Sequence, residues 1–105
     1  MLITNTETIS GKTITKTLGV VKGNTIRARW FGRDILAVLK TIIGGEIKSY
    51  TNMLNDAREE ATNRMIDEAK KHKADAIVNV RYTTSTVMQG ASEILAYGTA
   101  VQFKK

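Results

Sequence analysis

The fold is decided by the C-terminal third of the chain, residues 75–105, which reads DAIVNVRYTTSTVMQGASEILAYGTAVQFKK. Its apolar, β-branched and aromatic residues predict two long strands, Asp75–Val87 and Ala91–Lys104. They are separated by Met88-Gln89-Gly90, and a glycine in such a short connection is typical of a β-hairpin turn. The sequence therefore predicts an antiparallel hairpin at the centre of the sheet.

A register for this hairpin follows if Gln89-Gly90 is its two-residue loop. Val78 then pairs with Val101, and Tyr82 pairs with Tyr97. One predicted face carries mostly large residues, namely Val78, Val80, Tyr82, Leu95, Tyr97, Val101 and Phe103. The other predicted face is smaller and partly apolar, and consists of Ile77, Asn79, Arg81, Thr83, Ile94, Ala96, Gly98, Ala100 and Gln102.

The N-terminal half predicts a second hairpin and a short helix. Lys12–Val21 and Thr25–Arg29 read as strands around a turn at Lys22-Gly23-Asn24. Asp34 can cap a short helix that ends at Gly44-Gly45. We expect this short helix, or a neighbouring subunit, to cover the small face of the C-terminal hairpin.

A long helix is predicted from Ser49 to Lys73. Its apolar residues recur at spacings of three and four and form one stripe, made of Tyr50, Leu54, Ala57, Ala61, Met65 and Ala69. Ala57 and Ala61 make this stripe flat, so the helix can lie close to a sheet with large side chains, such as the large face of the hairpin. The pattern alone leaves open which face of the sheet meets this helix.

Composition limits the class of protein. A chain of 105 residues predicts one domain, residues 1–105. It contains no cysteine, which excludes disulfides and thiolate chemistry. No apolar run approaches a membrane span, and the N-terminus lacks the pattern of a secretion signal. We expect a soluble cytoplasmic protein without a membrane partner.

Both faces of the predicted hairpin require cover, and a chain this short has little material to supply it. A sheet of this kind favours a homo-oligomer, in which copies of the chain cover one another. The net charge of +6 is uneven, because residues 1–33 carry six basic groups and one acidic group. Basic groups on edge strands commonly oppose aggregation, so this surplus does not by itself indicate a ligand.

Several segments, taken together and in order, resemble the YbjQ-like family of small uncharacterised bacterial and archaeal proteins. These segments are Gly19–Gly23, Gly44–Thr51, Ala57–Ala61, Ala74–Arg81 and Leu95–Val101. The resemblance covers nearly the whole chain. It implies a dodecin-like α+β subunit, with an antiparallel sheet and one long and one short helix, that assembles into a pentameric ring. The family carries the label "putative heavy-metal-binding", and the resemblance supplies no catalytic residues.

Metal binding receives little support from the residues themselves. Soft metals favour thiolate ligands, and zinc sites usually combine cysteine with histidine. The single histidine, His72, lies among Lys70, Lys71 and Lys73, where a cation is repelled. We interpret His72 as a residue that complements the helix dipole. Carboxylates such as Glu46 or Glu93, repeated around a ring, remain an option for a hard cation.

Two other candidate sites follow from the sequence. Asn79 and Arg81, beside Gly98 and with Glu46 from a neighbour, could line an interface pocket for an anionic ligand, although an interface ion pair explains them as well. Arg27, Arg29 and Arg33 lie near Trp30 and Phe31 and form a basic edge. Basic and aromatic residues together can bind single strands, but no nucleic-acid motif accompanies them, so we do not favour a nucleic-acid partner.

No pairing of a nucleophile with a base is evident, so we do not expect an enzyme. The sequence favours a homo-oligomer that binds a small ligand or a cation at subunit interfaces. The alternatives are a scaffold that contacts another protein, and weak nucleic-acid binding through the basic edge.

Overall fold

The computed structural model describes residues 1–27, 47–88 and 91–104. This part forms four strands and one helix: β1 (Leu2–Ile3), β2 (Ile14–Arg27), α1 (Ile47–Lys71), β3 (Ala76–Met88) and β4 (Ala91–Phe103). The strands make one sheet in the order β1-β3-β4-β2. The fold is therefore mixed α+β. The predicted short helix after Asp34 lies outside the described residues.

The sequence predicted an antiparallel sheet, but the observed sheet is mixed. β1 runs parallel to β3, whereas β2 and β3 both pair antiparallel with β4. β1 has only two residues, so its apolar pattern was too short to be recognised in the sequence.

The two C-terminal strands are confirmed to within one residue at each end, but their predicted register is wrong. Val78 pairs with Thr99 instead of Val101, and Tyr82 pairs with Ala96 instead of Tyr97. The pairing also shifts between Val78 and Arg81, where β3 contains a bulge. The loop length alone therefore did not determine the register.

The bulge is centred on Asn79, which has a φ of 53°. Asparagine adopts this left-handed conformation more readily than most other residues. The amide N–H groups of Asn79 and Val80 leave the β4 ladder and donate to the carbonyls of Thr6 and Thr4, both at 2.9 Å. An extra residue in one strand reverses the face of every side chain that follows it. Val80 and Tyr82 thus turn toward the helix, and Arg81 turns away.

β2 is one continuous strand, so the predicted turn at Lys22-Gly23-Asn24 is wrong. Gly23 lies inside the strand, opposite Ala96, and is buried. A Cβ atom at this position would overlap the helix backbone at Ala61, Arg64 and Met65. Glycine is present here because the helix approaches the strand closely.

Helix α1 confirms the predicted helix to within two residues at each end. Ala57, Ala61, Met65 and Ala69 of the predicted stripe are fully buried. The helix ends in a Schellman motif, with Lys73 in the left-handed conformation at φ 62°. The Ala74 N–H donates to the Ala69 carbonyl at 3.1 Å, and the Lys73 N–H donates to the Lys70 carbonyl at 3.0 Å.

The long helix covers the face of small residues, which we expected the short helix or a neighbouring subunit to cover. The core against it contains Val21 of β2, Ile77 and Val80 of β3, and Ile94, Ala96 and Ala100 of β4. Alanines on the helix and small residues on the sheet allow the two backbones to approach closely. The alanine stripe of the helix therefore packs against a sheet surface that is also formed partly by small residues.

The opposite side of the sheet is called here the distal face. Its residues include Val20, Lys22, Asn24 and Ile26 of β2, Arg81 and Thr83 of β3, and Glu93, Leu95, Tyr97 and Thr99 of β4. At one end of the same side, Ile9, Ile14 and Phe103 pack over Ala76, Val78 and Val101. This small second cluster leaves the central part of the distal face accessible.

Candidate functional site

The centre of the distal face carries a tyrosine between two basic residues. Tyr97 of β4 pairs with Lys22 of β2 on one side and with Arg81 of β3 on the other. Directly opposite residues of an antiparallel pair have Cβ atoms about 5 Å apart. Tyr97 is 37% exposed, and Lys22 and Arg81 are also exposed. We call these three residues the Tyr97 row.

The N-terminal segment orients Arg81. The Arg81 Nη1 group donates to the carbonyl of Asn5 at 3.1 Å and to the carbonyl of Val80 at 3.3 Å. Asn5 reaches this point because the neighbouring residues Thr4 and Thr6 bind the bulge of β3. The bulge therefore both turns Arg81 onto the distal face and supplies a neighbour that restrains it.

On the described strands, no carboxylate lies beside the Tyr97 row. β2, β3 and β4 together contain a single carboxylate, that of Glu93. Glu93 pairs with Ile26 and Ser85, two rows away from Tyr97, and accepts a hydrogen bond from Asn24 Nδ2 at 3.0 Å. In the described part of the chain, no carboxylate forms an ion pair with Lys22 or Arg81. The row therefore presents positive charge to solvent.

A polar connection fixes the helix against the strand that carries Lys22. Arg64 of α1 donates through Nη1 to the carbonyl of Asn24 at 2.6 Å, and its Nη2 pairs with Glu60 at 2.5 Å. Glu60 and Arg64 have the i,i+4 spacing that brings two side chains together on one face of a helix. Tyr82 makes a second connection, with its hydroxyl 2.8 Å from the Thr62 hydroxyl. These contacts add polar links between the helix and the sheet beside their apolar core.

The structure separates the residues of the predicted interface pocket. Arg81 is on the distal face, whereas Gly98 is buried on the helix side, where a Cβ atom would approach Ile77 Cγ2 to 2.7 Å. Asn79 occupies the bulge. The prediction that these three residues share one face is wrong, because it assumed an unbroken strand. Glu46 lies outside the described residues.

The other predicted positions fall partly outside the described residues. Arg27 ends β2, but its side chain is not among those described, and Arg29 and Arg33 lie in residues 28–46, which the structure does not describe. His72 is exposed just after the helix, and its backbone N–H donates to the Ala69 carbonyl at 3.1 Å. It therefore lies at the negative end of the helix dipole, where we predicted it.

Sequence reasoning missed two members of the Tyr97 row. Lys22 was assigned to a turn, and Tyr97 was placed on the large face of the hairpin, where it was paired with Tyr82. One signal pointed to the position of Tyr97, namely the alternation along β4, which places Leu95, Tyr97 and Thr99 on one face. Lys22 and Tyr97 are exposed because the helix covers the opposite face of the sheet.

In the described residues, no helix is both long and apolar enough to cross a membrane.

These observations define a class of protein: a mixed α+β domain in which one helix covers one face of a four-stranded sheet. The chain matches the family model YbjQ_1, described as "Putative heavy-metal-binding", over residues 1–104, and it belongs to this family. A UPF0145 protein of Archaeoglobus fulgidus is 62% identical over 104 residues, which cover 99% of this chain and 96% of the relative. A UPF0145 protein of Photobacterium profundum is 62% identical over 102 residues, with 97% and 99% covered.

The fold is also found in a solved structure. A crystal structure of a protein of unknown function from Pediococcus pentosaceus, assigned to the DUF74 family, matches with a TM-score of 0.67. The match covers 99% of this chain and 98% of the other, at 21% sequence identity. At this identity the likeness concerns the fold alone.

The residues of this chain do not fit the heavy metal in the family description. Soft metals require thiolates or clustered imidazoles, and the chain has no cysteine and one histidine. Across residues 1–27, 47–88 and 91–104, no three metal-ligating side chains come together. No chemical step is therefore assigned to a metal.

Proposed function

We propose that the chain is a non-enzymatic binding protein that assembles from identical subunits into a ring, a pentamer, and holds a small anionic ligand at its subunit interfaces. The observation that carries this proposal is a sheet with two long edges to which no described strand is paired. A cytoplasmic location belongs to the same proposal and rests on the sequence.

The first edge is that of β3. The N-terminal segment pairs with this strand only as far as Val80, whose N–H donates to Thr4. From Arg81 to Met88 no described strand lies beside the outer edge. Backbone groups along such an edge bind water or a strand from another chain.

The second edge is that of β2, which has 14 residues and ends the sheet on the other side. Its exposed side chains include Val20 at 72% and Ile26 at 51%. A long edge with exposed apolar residues promotes association unless a partner covers it. Pairing at this edge would place a strand of another copy beside these side chains.

A contact between the β2 edge of one copy and the β3 edge of the next uses two different surfaces. Contacts of this type generate a ring when the rotation between neighbours closes. The number five comes from the resemblance of the sequence to the YbjQ-like family. Arg81 lies at the start of the free β3 edge and forms no ion pair with a described carboxylate, so an anion at the interface suits it better than a cation.

Native mass spectrometry of the full, untagged chain tests this proposal. The expected species is a pentamer of 11.6 kDa subunits that carries additional bound mass. Ile26→Lys is expected to shift the assembly toward monomer, because it places a charge on the edge without removing a buried contact. Asn63→Lys, on the exposed side of the helix, is the matched control and should remain assembled.

A monomeric wild-type chain would overturn the proposal. An assembly that persists in Ile26→Lys would count against this end of the β2 edge as its contact. A ring without bound mass would favour the scaffold alternative over ligand binding.

A further inference from the structure

We propose that the distal face binds single-stranded nucleic acid, with a base stacked on Tyr97 and backbone phosphates held by Lys22 and Arg81. This site shares Arg81 with the interface ligand proposed above, but all three of its residues belong to one chain, so it does not require the ring. It is also distinct from the basic edge at Arg27, Arg29 and Arg33.

The geometry of the Tyr97 row suits a nucleotide chain. An exposed aromatic ring on an open sheet provides a platform on which an unpaired base can stack. Lys22 and Arg81 flank this ring on the two neighbouring strands. Adjacent strands lie about 4.8 Å apart, so the row spans about 10 Å. Two long cationic side chains on either side of one ring can reach phosphates at both ends of a stacked nucleotide.

Charge favours a phosphate backbone as the occupant. The rows on either side of Tyr97 contain Val20, Thr99 and Val78, and Asn24, Leu95 and Thr83, with no carboxylate among them. Glu93, the next acidic group along β4, is already held by Asn24. The surface of the helix is different, because α1 carries five basic and five acidic residues. An anionic polymer is therefore drawn to the distal face and not to the helix.

A second copy of the chain is a less suitable occupant. Stacking two distal faces would bury Lys22 and Arg81 of both copies against the single carboxylate that each face carries, Glu93. Burial of unpaired cations is costly, whereas phosphates neutralise them. A duplex is also less suitable, because its bases are stacked internally and cannot lie on Tyr97.

Fluorescence anisotropy with the full chain and a labelled oligothymidine of about 12 nucleotides tests the site. The expected result is binding at low salt that weakens as salt rises. Tyr97→Leu should weaken binding at least about five-fold, because stacking on the ring is lost. Lys22→Ala combined with Arg81→Ala should reduce the slope of log K against log salt by about 1.4, since two phosphate contacts disappear.

Two matched controls separate this site from general attraction to a basic protein. Tyr82 is a more exposed tyrosine, at 47% against 37% for Tyr97, but its hydroxyl contacts Thr62 on the helix side of the sheet. Tyr82→Leu should bind as the wild type does. Lys70→Ala combined with Lys71→Ala removes the same charge from the end of the helix and should leave the salt slope nearly unchanged.

Several results would overturn the proposal. They are the absence of binding at low salt, equal loss in the control and test variants, and duplex bound as tightly as the single strand. If Tyr97→Leu instead changes the number of subunits, the distal face is an interface between copies and the proposal is wrong. The failure of ring assembly alone leaves these binding results interpretable, because the site lies within one chain.

Discussion

Arg81 lies directly opposite Tyr97 in the β3–β4 pair, on the face of the sheet that points away from the helix. An unbroken β3 would place the two side chains on opposite faces. Both side chains lie on the distal face because the bulge at Asn79 moves each later side chain of β3 to the opposite face of the sheet. A single backbone irregularity thus creates both the core contacts of Val80 and the charged row on the distal face.

The bulge predicts a specific sensitivity at Asn79. Asn79→Val should reduce the free energy of unfolding by about 1–2 kcal/mol, because a β-branched residue opposes the positive φ. Asn79→Gly should be close to neutral. Urea denaturation monitored by circular dichroism measures both. Thr83→Val, in an ordinary extended position of the same strand, is the control. An Asn79→Val variant as stable as this control would contradict the role assigned to the bulge.

The close approach of helix and strand predicts that Gly23→Ala is harmful. The added methyl group meets the backbone at Ala61 and Met65, which cannot move away as a flexible side chain could. Overpacking of this kind costs about 1–3 kcal/mol, and we expect the upper part of that range. Lys22→Ala, at the exposed neighbouring position, should change stability by less than about 0.5 kcal/mol. Equal thermal midpoints for the two variants would refute this prediction.

Thr25 offers a route to a more stable protein. Its side chain is 2% exposed, and its hydroxyl has no hydrogen-bond partner among the described residues. Thr25→Val keeps the shape and removes an unsatisfied polar group, so we expect a gain of up to about 1 kcal/mol. Thr17→Val, at an exposed position of the same strand, should change little. A clear loss of stability in Thr25→Val would show that the hydroxyl does have a partner.

Substitution by glycine should change the stability of the protein in opposite directions at two lysines near the end of the helix. Lys73 adopts a left-handed conformation, so Lys73→Gly should stabilise the protein by a few tenths to about 1 kcal/mol. Lys70 lies inside the last turn, and Lys70→Gly should cost about 1 kcal/mol. Chemical denaturation of both variants gives the comparison. The same sign of change at both positions would argue against the Schellman motif.

The metal-ligating residues available in this chain predict that soft metals do not stabilise it. Titration with Zn²⁺ or Cd²⁺ should leave the thermal midpoint unchanged, and so should removal of metal with a chelator. The physical reason is that the chain has no thiol and its one histidine is exposed beside three lysines. A metal-dependent rise in the midpoint that is abolished in His72→Ala would show that the histidine is a ligand after all.

Much of the local structure was predictable because it depends on short-range patterns. The spacing of Ala57, Ala61, Met65 and Ala69 predicted the long helix and its buried face. The β-branched and aromatic residues predicted both C-terminal strands. Gly23 misled the same reasoning, because glycine is common in turns and the close helix that requires it here is distant in sequence.

The candidate site was less predictable. Lys22, Arg81 and Tyr97 lie on three different strands, and their grouping requires the register of two strand pairs. The register of β3 depends in turn on hydrogen bonds from Asn79 and Val80 to the N-terminal segment. No sequence pattern reports such a contact between distant segments. The prediction that Asn79, Arg81 and Gly98 share one face was wrong for this reason.

The sequence by itself determined the family, the long helix with its buried stripe, and the two C-terminal strands, because periodicity and propensity act over a few neighbouring residues. The tertiary structure alone decided which face of the sheet the helix covers and which side chains stand together on the other face. Those outcomes depend on close packing at Gly23 and on the bulge at Asn79. Both features arise from contacts between segments far apart in the chain.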